Sequence, residues 1–165
     1  KIVSRNFRPP KTRITMSHLK KVIIHTDGAC EANPGPGGWG AVINIENEIF
    51  EISGYEQHST NNRMEMIAAI KALEFLDTES EVHLYSDSQY LINTMNIYIH
   101  RYMRKNWLTA SKKPVKNKDL WESLVTLAYK HHIFWYWIKG HAGHTENEMA
   151  DKLATTAIVK HIEGL

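Results

Sequence analysis

KVIIHTDGACEANPGPGGWGAVINIENEIFEISGYE, residues 21–56, decides the fold. Val22-Ile23-Ile24 is a β-branched apolar run that ends in polar residues at Asp27, the signature of a buried strand. Asn33 to Gly38, NPGPGG, is a strong turn signal and predicts a tight turn. It resembles a phosphate cradle only superficially, because the GxxxxGK[ST] arrangement is missing. WGAVINIE (39–46) and IFEISGYE (49–56) alternate apolar and polar residues, which predicts two antiparallel strands joined around Glu46–Glu48. Downstream, Ser59-Thr60-Asn61-Asn62 offers capping residues ahead of an amphipathic helix over 63–76. VHLYSD (82–87) reads as a short strand, and a helix opens at 86–96. Residues 119–130 read as a helix, 133–139 as a strand and 146–162 as a last helix. Three strands followed by strand–helix alternation imply an α/β domain, a mixed sheet covered by helices.

The chain has 165 residues, room for one domain with a real core. No apolar run approaches the ~20 residues of a membrane helix, and the basic start KIVSRNFRPPKTRIT lacks a secretory apolar stretch. Cys30 is the single cysteine, so no intramolecular disulfide forms; a reducing, cytoplasmic location is expected. Residues 1–16, with Pro9-Pro10 and no periodicity, read as an extension outside the core, and 17–165 as one domain. No apolar docking helix is left over, so a monomer is expected.

Net charge is only +2, but it is unevenly placed. Residues 96–118 hold seven of the 20 Lys/Arg (Arg101, Arg104, Lys105, Lys112, Lys113, Lys116, Lys118) and no acid. That leaves 13 bases against 18 acids elsewhere, a net −5. An acidic body with one basic segment, interleaved with Tyr98, Tyr102, Trp107 and Trp121, reads as an anion-facing surface.

Four acids stand in four separate contexts: Asp27 in HTDGAC, Glu65 in NNRMEM, Asp87 in LYSDSQ and Asp151 in EMADKLA. Met together in space, such carboxylates would hold hard divalent cations, which prefer oxygen ligands. Asp27 has an alternative as a turn aspartate, though the run Val22-Ile23-Ile24 places it at the sheet edge and favours a ligand; Glu65 taken alone reads as a solvent-facing helical glutamate, and Asp87 as a helix cap, which does not exclude metal binding. Glu148 and Asp151 share a helix face, and spacing does not choose between them. Ten histidines raise zinc, but neither HExxH nor a Cys/His finger spacing is present.

Five motifs in the same order, TDGACEANPGPGGWGA, TNNRMEMIAAIKAL, SDSQY, KKPVKNKDLW and WIKGHAGHTENEMAD, closely resemble the bacterial type 1 ribonuclease H family over about residues 20–158. The resemblance implies a five-stranded mixed sheet flanked by helices on both faces. It also implies hydrolysis of the RNA strand of RNA–DNA hybrids, leaving 5′-phosphate and 3′-hydroxyl ends. Asp27, Glu65, Asp87 and Asp151 are then the metal-binding carboxylates, for Mg²⁺ or alternatively Mn²⁺, two ions with substrate bound. His141, in Gly140-His141-Ala142-Gly143, is the mobile histidine near the scissile phosphate, serving either water activation or product departure. Cys30, Asn33, Thr60, Asn61, Asn62 and Gln89 match positions that grip the hybrid, where amides suit 2′-hydroxyls. The 96–118 segment resembles the family's basic protrusion, with Arg104, Lys105, Trp107, Lys112, Lys113, Lys116 and Asn117 facing nucleic acid. Trp107 and Trp121 also read as packing anchors, and Phe134, Trp135, Tyr136 and Trp137 as packing residues on a strand. Two rivals stay open at this stage: a DNA-directed nuclease of the same fold, and a non-catalytic hybrid-binding module.

Overall fold

The computed structural model describes residues 18–164; the expected extension at 1–16 lies outside the described residues. Strands β1 (Lys20–Cys30), β2 (Gly35–Ile45) and β3 (Glu48–Ser59) lead into α1 (Asn61–Glu74). Then come β4 (Ser80–Ser86), α2 (Gln89–Asn93), a π-helical turn over Thr94–Tyr98 and α3 (Ile99–Arg104). The chain ends with α4 (Lys118–Lys130), β5 (His132–Trp137) and α5 (Thr145–Ile162). No helix among the described residues is long and apolar enough to cross a membrane.

The five strands form one mixed sheet in the order β3-β2-β1-β4-β5. β1–β2 and β2–β3 are antiparallel, while β4 and β5 run parallel to β1. The β2–β3 connection lies where expected: Glu46 and Asn47 take φ of 51° and 70°, and Asn44 Oδ1 accepts from Asn47 N. Such a pair of left-handed residues suits the twist of a hairpin. The NPGPGG expectation needs correcting. β2 already begins at Gly35, so the turn is confined to residues 31–34 and the remaining glycines are strand residues.

Those strand glycines let helices approach both faces of the sheet. A Cβ on Gly37 would strike Met64 of α1, whereas one on Gly38 or Gly40 would strike the backbone of α5 at Ala154 or Ala150. A side chain at Gly38 or Gly40 would push α5 away. Between the sheet and α1, α2 and α4 lies the core of Val22, Ile24, Ile43, Met66, Leu84 and Trp135, with Trp121 fully enclosed. Each such fully buried side chain contributes roughly 1.5–3 kcal/mol of transfer free energy. The basic segment is anchored in this core as well: Val115 is buried, and Tyr102, Met103 and Trp107 pack against it.

Candidate active site

Local structure explains why three acids meet. β1 pairs with β4 only as far as His25, so Asp27 lies just past the end of the parallel pairing, where ligands bind in open α/β sheets. Gly28 has no Cβ because the α1 backbone at Met64 and Glu65 occupies that space, which sets Glu65 against β1. α1 starts at Thr60, whose Oγ1 accepts from Arg63 N, so Glu65 falls within the second turn. Asp87 follows the last residue of β4. It is not the cap of α2: Ser88 is, its Oγ accepting from Leu91 N.

Oxygens of Asp27, Glu65 and Asp87 lie within 4.8 Å of one another, the one such group of three among the described residues. Asp151 comes from the opposite face. Asp27 is the cross-strand partner of Gly40, whose missing side chain admits α5 at Ala150 and Leu153. Asp151 therefore stands near enough for its side chain to act on the Asp27 carboxyl and its charge on Asp87, but its oxygens lie outside the group of three.

The cluster is electrostatically unsatisfied. Burial, reinforced by the neighbouring Asp87 and Asp151 charges, pushes the Asp27 carboxyl up to about 8. Glu65 is held well above the usual carboxylate range, first by burial and then by the Asp27 charge. Burial also raises Asp87, against the opposing pull of His141. Asp27 Oδ1 accepts from Gly28 N at 2.9 Å, but Glu65 Oε2 is buried with no hydrogen-bond partner. Crowded, desolvated carboxylates with an orphaned oxygen are a donor set suited to a hard divalent cation.

The loop after β5 forms the adjoining wall. Gly140 lies so close to Asp87 that a Cβ there would come within 2.6 Å of its Oδ2. His141 is exposed, with φ of 55°, and its charge acts on Asp87.

The expected hybrid-contacting residues fall into three settings. Asn61 and Asn62 are exposed on the first turn of α1, and Asn33 Oδ1 accepts from Asn61 N at 3.1 Å, tying the β1–β2 turn to that helix start. Gln89 is exposed at the start of α2; Cys30 is half-buried, its Sγ 3.5 Å from Gly35 O and its thiol pushed up by burial. Arg104, Lys105, Lys112, Lys113 and Lys116 are exposed, and a groove of about 660 Å³ runs between Tyr98, Tyr102, Leu108 and the bases Arg101, Lys105 and Lys112. Trp107 is half-buried against Tyr102. Asn117 has an internal role: its Nδ2 donates to Tyr90 Oη at 2.9 Å and its Oδ1 accepts from Arg63 Nη1 at 3.2 Å.

Two features escaped the sequence reading. Arg63 forms a bidentate pair with Asp119 at 3.0 and 2.9 Å, locking the start of α1 to that of α4. Trp137, read as packing, is 45% exposed and donates its Nε1–H to Asp87 O at 3.0 Å. The only hint in the sequence is an aromatic in a strand run, three residues before the Gly/His loop.

The RNase H family model matches residues 19–159. A ribonuclease H of Rhodopseudomonas palustris strain BisB5 is 54% identical over 143 residues, 87% of this chain and 95% of that protein. One from Bradyrhizobium diazoefficiens is 52% identical, covering 88% and 94%. Among solved structures, LC9-RNase H1, described as a type 1 RNase H with the type 2 active-site motif, aligns with a TM-score of 0.75. It is 30% identical, with 86% of this chain and 73% of that one covered. LC11-RNase H1, solved in complex with RNA/DNA hybrid, aligns with a TM-score of 0.66 at 27% identity, covering 86% and 99%. With a family model over most of its length and close bacterial relatives along it, the chain belongs to the ribonuclease H family, beside its bacterial type 1 members.

Proposed function

We propose that this ribonuclease H is a divalent-metal-dependent endonuclease that hydrolyses the RNA strand of RNA–DNA hybrids. The observation that carries the reading is the approach of Asp27, Glu65 and Asp87 oxygens to within 4.8 Å, with Asp151 beside them. A relative solved with an RNA/DNA hybrid supports the substrate class. When bound, divalent cations, which we set at two Mg²⁺ with Mn²⁺ as the alternative, supply positive charge at the scissile phosphate and lower the pKa of the attacking water.

The chain's own residues do the rest. Asp27, Glu65, Asp87 and Asp151 would hold the cations, whose charge would favour the ionised carboxylates that burial disfavours at Asp27, Glu65 and Asp87. His141, at the rim beside Asp87, moves a proton, either from the attacking water or to the departing 3′ oxygen. Cleavage leaves 5′-phosphate and 3′-hydroxyl ends. Asn33, Asn61, Asn62 and Gln89 offer amides to 2′-hydroxyls and minor-groove edges, with Cys30 and Thr60 beside them, which is how a protein tells RNA from DNA. Arg104, Lys105, Lys112, Lys113 and Lys116, with Trp107 and Asn117 fixing their base, neutralise phosphates of the DNA strand without reading sequence. We take residues 17–165 as one domain with a basic protrusion at about 96–118, residues 1–16 as an extension, and the protein as a cytoplasmic monomer.

The test is an end-labelled hybrid, duplex RNA and duplex DNA, each incubated with Mg²⁺ or EDTA, for wild type and Asp87→Asn. Internal cuts in hybrid RNA alone, lost with EDTA and in the variant, are expected. Binding without cleavage would convert the reading to a hybrid-binding module, and equal cleavage of DNA to a DNA-directed nuclease.

A further inference from the structure

Asp87 sits in a junction where its own carbonyl has no ladder to join. β4 ends at Ser86, and α2 opens with Ser88 as its cap. The first helical bond runs from Ile92 N to Ser88 O, and Leu91 N, which would otherwise reach back to Asp87 O, is taken by the Ser88 hydroxyl. A carbonyl left this way takes its partner from water or from elsewhere in the chain. Trp137 supplies it from β5, 50 residues away, through its indole N–H at 3.0 Å. The same strand end holds the preceding residue, since Ile138 N donates to Ser86 O at 3.0 Å. Three residues past Trp137, Gly140 closes on the Asp87 carboxylate itself, leaving no room for a Cβ. One short segment thus bonds the main chain of Asp87, packs its glycine against the side chain and carries His141 immediately after.

We propose that Trp137 is a positioning residue for the metal site: its indole N–H fixes the Asp87 peptide, and with it the direction in which the carboxylate points. The proposal rests on the reading of Asp87 as a metal ligand. Indole is suited to the task because it is a donor only, on a rigid ring that β5 holds in place. Partners that orient a ligand commonly change metal affinity by 10–100-fold when removed.

The experiment uses the full chain as wild type, Trp137→Phe and Asp87→Asn. Mg²⁺ binding is measured by calorimetry without substrate, and steady-state cleavage of a hybrid is followed across Mg²⁺ concentrations. Trp137→Phe keeps a ring and removes only the N–H. About a 10-fold loss of Mg²⁺ affinity is expected, with kcat reduced at low Mg²⁺ and recovered at high Mg²⁺, while KM for hybrid stays unchanged. A residue that merely packs would lower the melting temperature in EDTA without moving the Mg²⁺ dependence, and that result would overturn the proposal. So would a rise in KM alone, which would make the indole a substrate contact. If Trp137→Phe does not fold, the wild-type indole N–H resonance decides. Slow exchange and a shift on Mg²⁺ addition support the role; fast exchange with no shift overturns it. Asp87→Asn separates the two claims: Mg²⁺ binding undiminished in that variant sinks the ligand reading and this one together. Binding lost there but intact in Trp137→Phe sinks this one alone.

Discussion

Replacing Asp27 by Asn is expected to make the metal-free protein more stable while abolishing cleavage. Asp27 is only 5% exposed, and its carboxyl is pushed from 3.8 up to about 8. For an acid whose folded-state pKa is raised, both states are protonated below the unfolded value. Between about pH 4 and 8 the unfolded chain ionises while the folded chain keeps its proton, so stability falls as pH rises through that window and levels above it. At ~1.36 kcal/mol per unit, a rise of about 4 units caps the penalty near 6 kcal/mol for the site taken alone. Glu65 shares the burden, and an amide keeps much of the cost of burying a polar group, so about 2–3 kcal/mol should be recovered at pH 8. For a chain this size that is a rise of roughly 5–10 °C in melting temperature. The assay is thermal unfolding of wild type and Asp27→Asn in EDTA at pH 5 and pH 8, repeated with Mg²⁺. The gap should be small at pH 5 and large at pH 8. Mg²⁺ at about 100 times its dissociation constant should return some 2.7 kcal/mol to wild type alone and close most of it. A variant less stable than wild type at pH 8 in EDTA, or a gap independent of pH, would refute this account of the cluster.

Three further outcomes follow from the same geometry. His141→Ala should slow turnover by roughly 10²–10⁴-fold if it transfers a proton, with hybrid binding intact; a negligible change in single-turnover kinetics near neutral pH would exclude that role. Neutralising Lys112, Lys113 and Lys116 together should weaken hybrid binding and lower the salt slope by up to about 0.9 for each phosphate no longer neutralised, leaving saturated turnover near wild type; an unchanged slope in titrations at several salt concentrations would remove the protrusion from the interface. Gly38→Ala should cost upward of about 2 kcal/mol in denaturant unfolding, because its new Cβ meets the backbone of α5 at Ala154; a neutral result would mean that α5 can shift away from β2.

The sequence was most informative where periodicity carries the physics. Alternation over 39–56 correctly anticipated the antiparallel β2–β3 pair and the β-branched run before Asp27 the buried strand β1, while parallel β4 and β5 followed from the strand–helix order. It was least informative where an interaction joins distant residues through a polar atom on an otherwise apolar side chain. Trp137 carries the same aromatic signal as Trp135, yet Trp135 is 1% exposed in the core and Trp137 is half out, holding Asp87. NPGPGG misled for a related reason: glycine and proline signal turns locally, whereas Gly37 and Gly38 are there so that α1 and α5 can come close. Close approach of a helix to a strand is a tertiary fact with no local signature.

Asp27, Glu65, Asp87 and Asp151 lie on β1, α1, the β4–α2 junction and α5, and no spacing rule links them. What brings them together is a pair of absences, the side chains of Gly28 and Gly40, which let α1 and α5 settle against β1 and β2 from opposite faces. The cluster is then as much a property of small residues in the sheet as of the acids. Its cost, three desolvated carboxylates with an unpartnered Glu65 oxygen, is one the metal-free fold bears because the close glycine–helix packing and the buried core on either side over-determine the backbone there. A chain that kept all four acids but enlarged Gly28 would push Glu65 away from Asp27 and lose the carboxylate cluster, while every carboxylate in the motifs still read as intact.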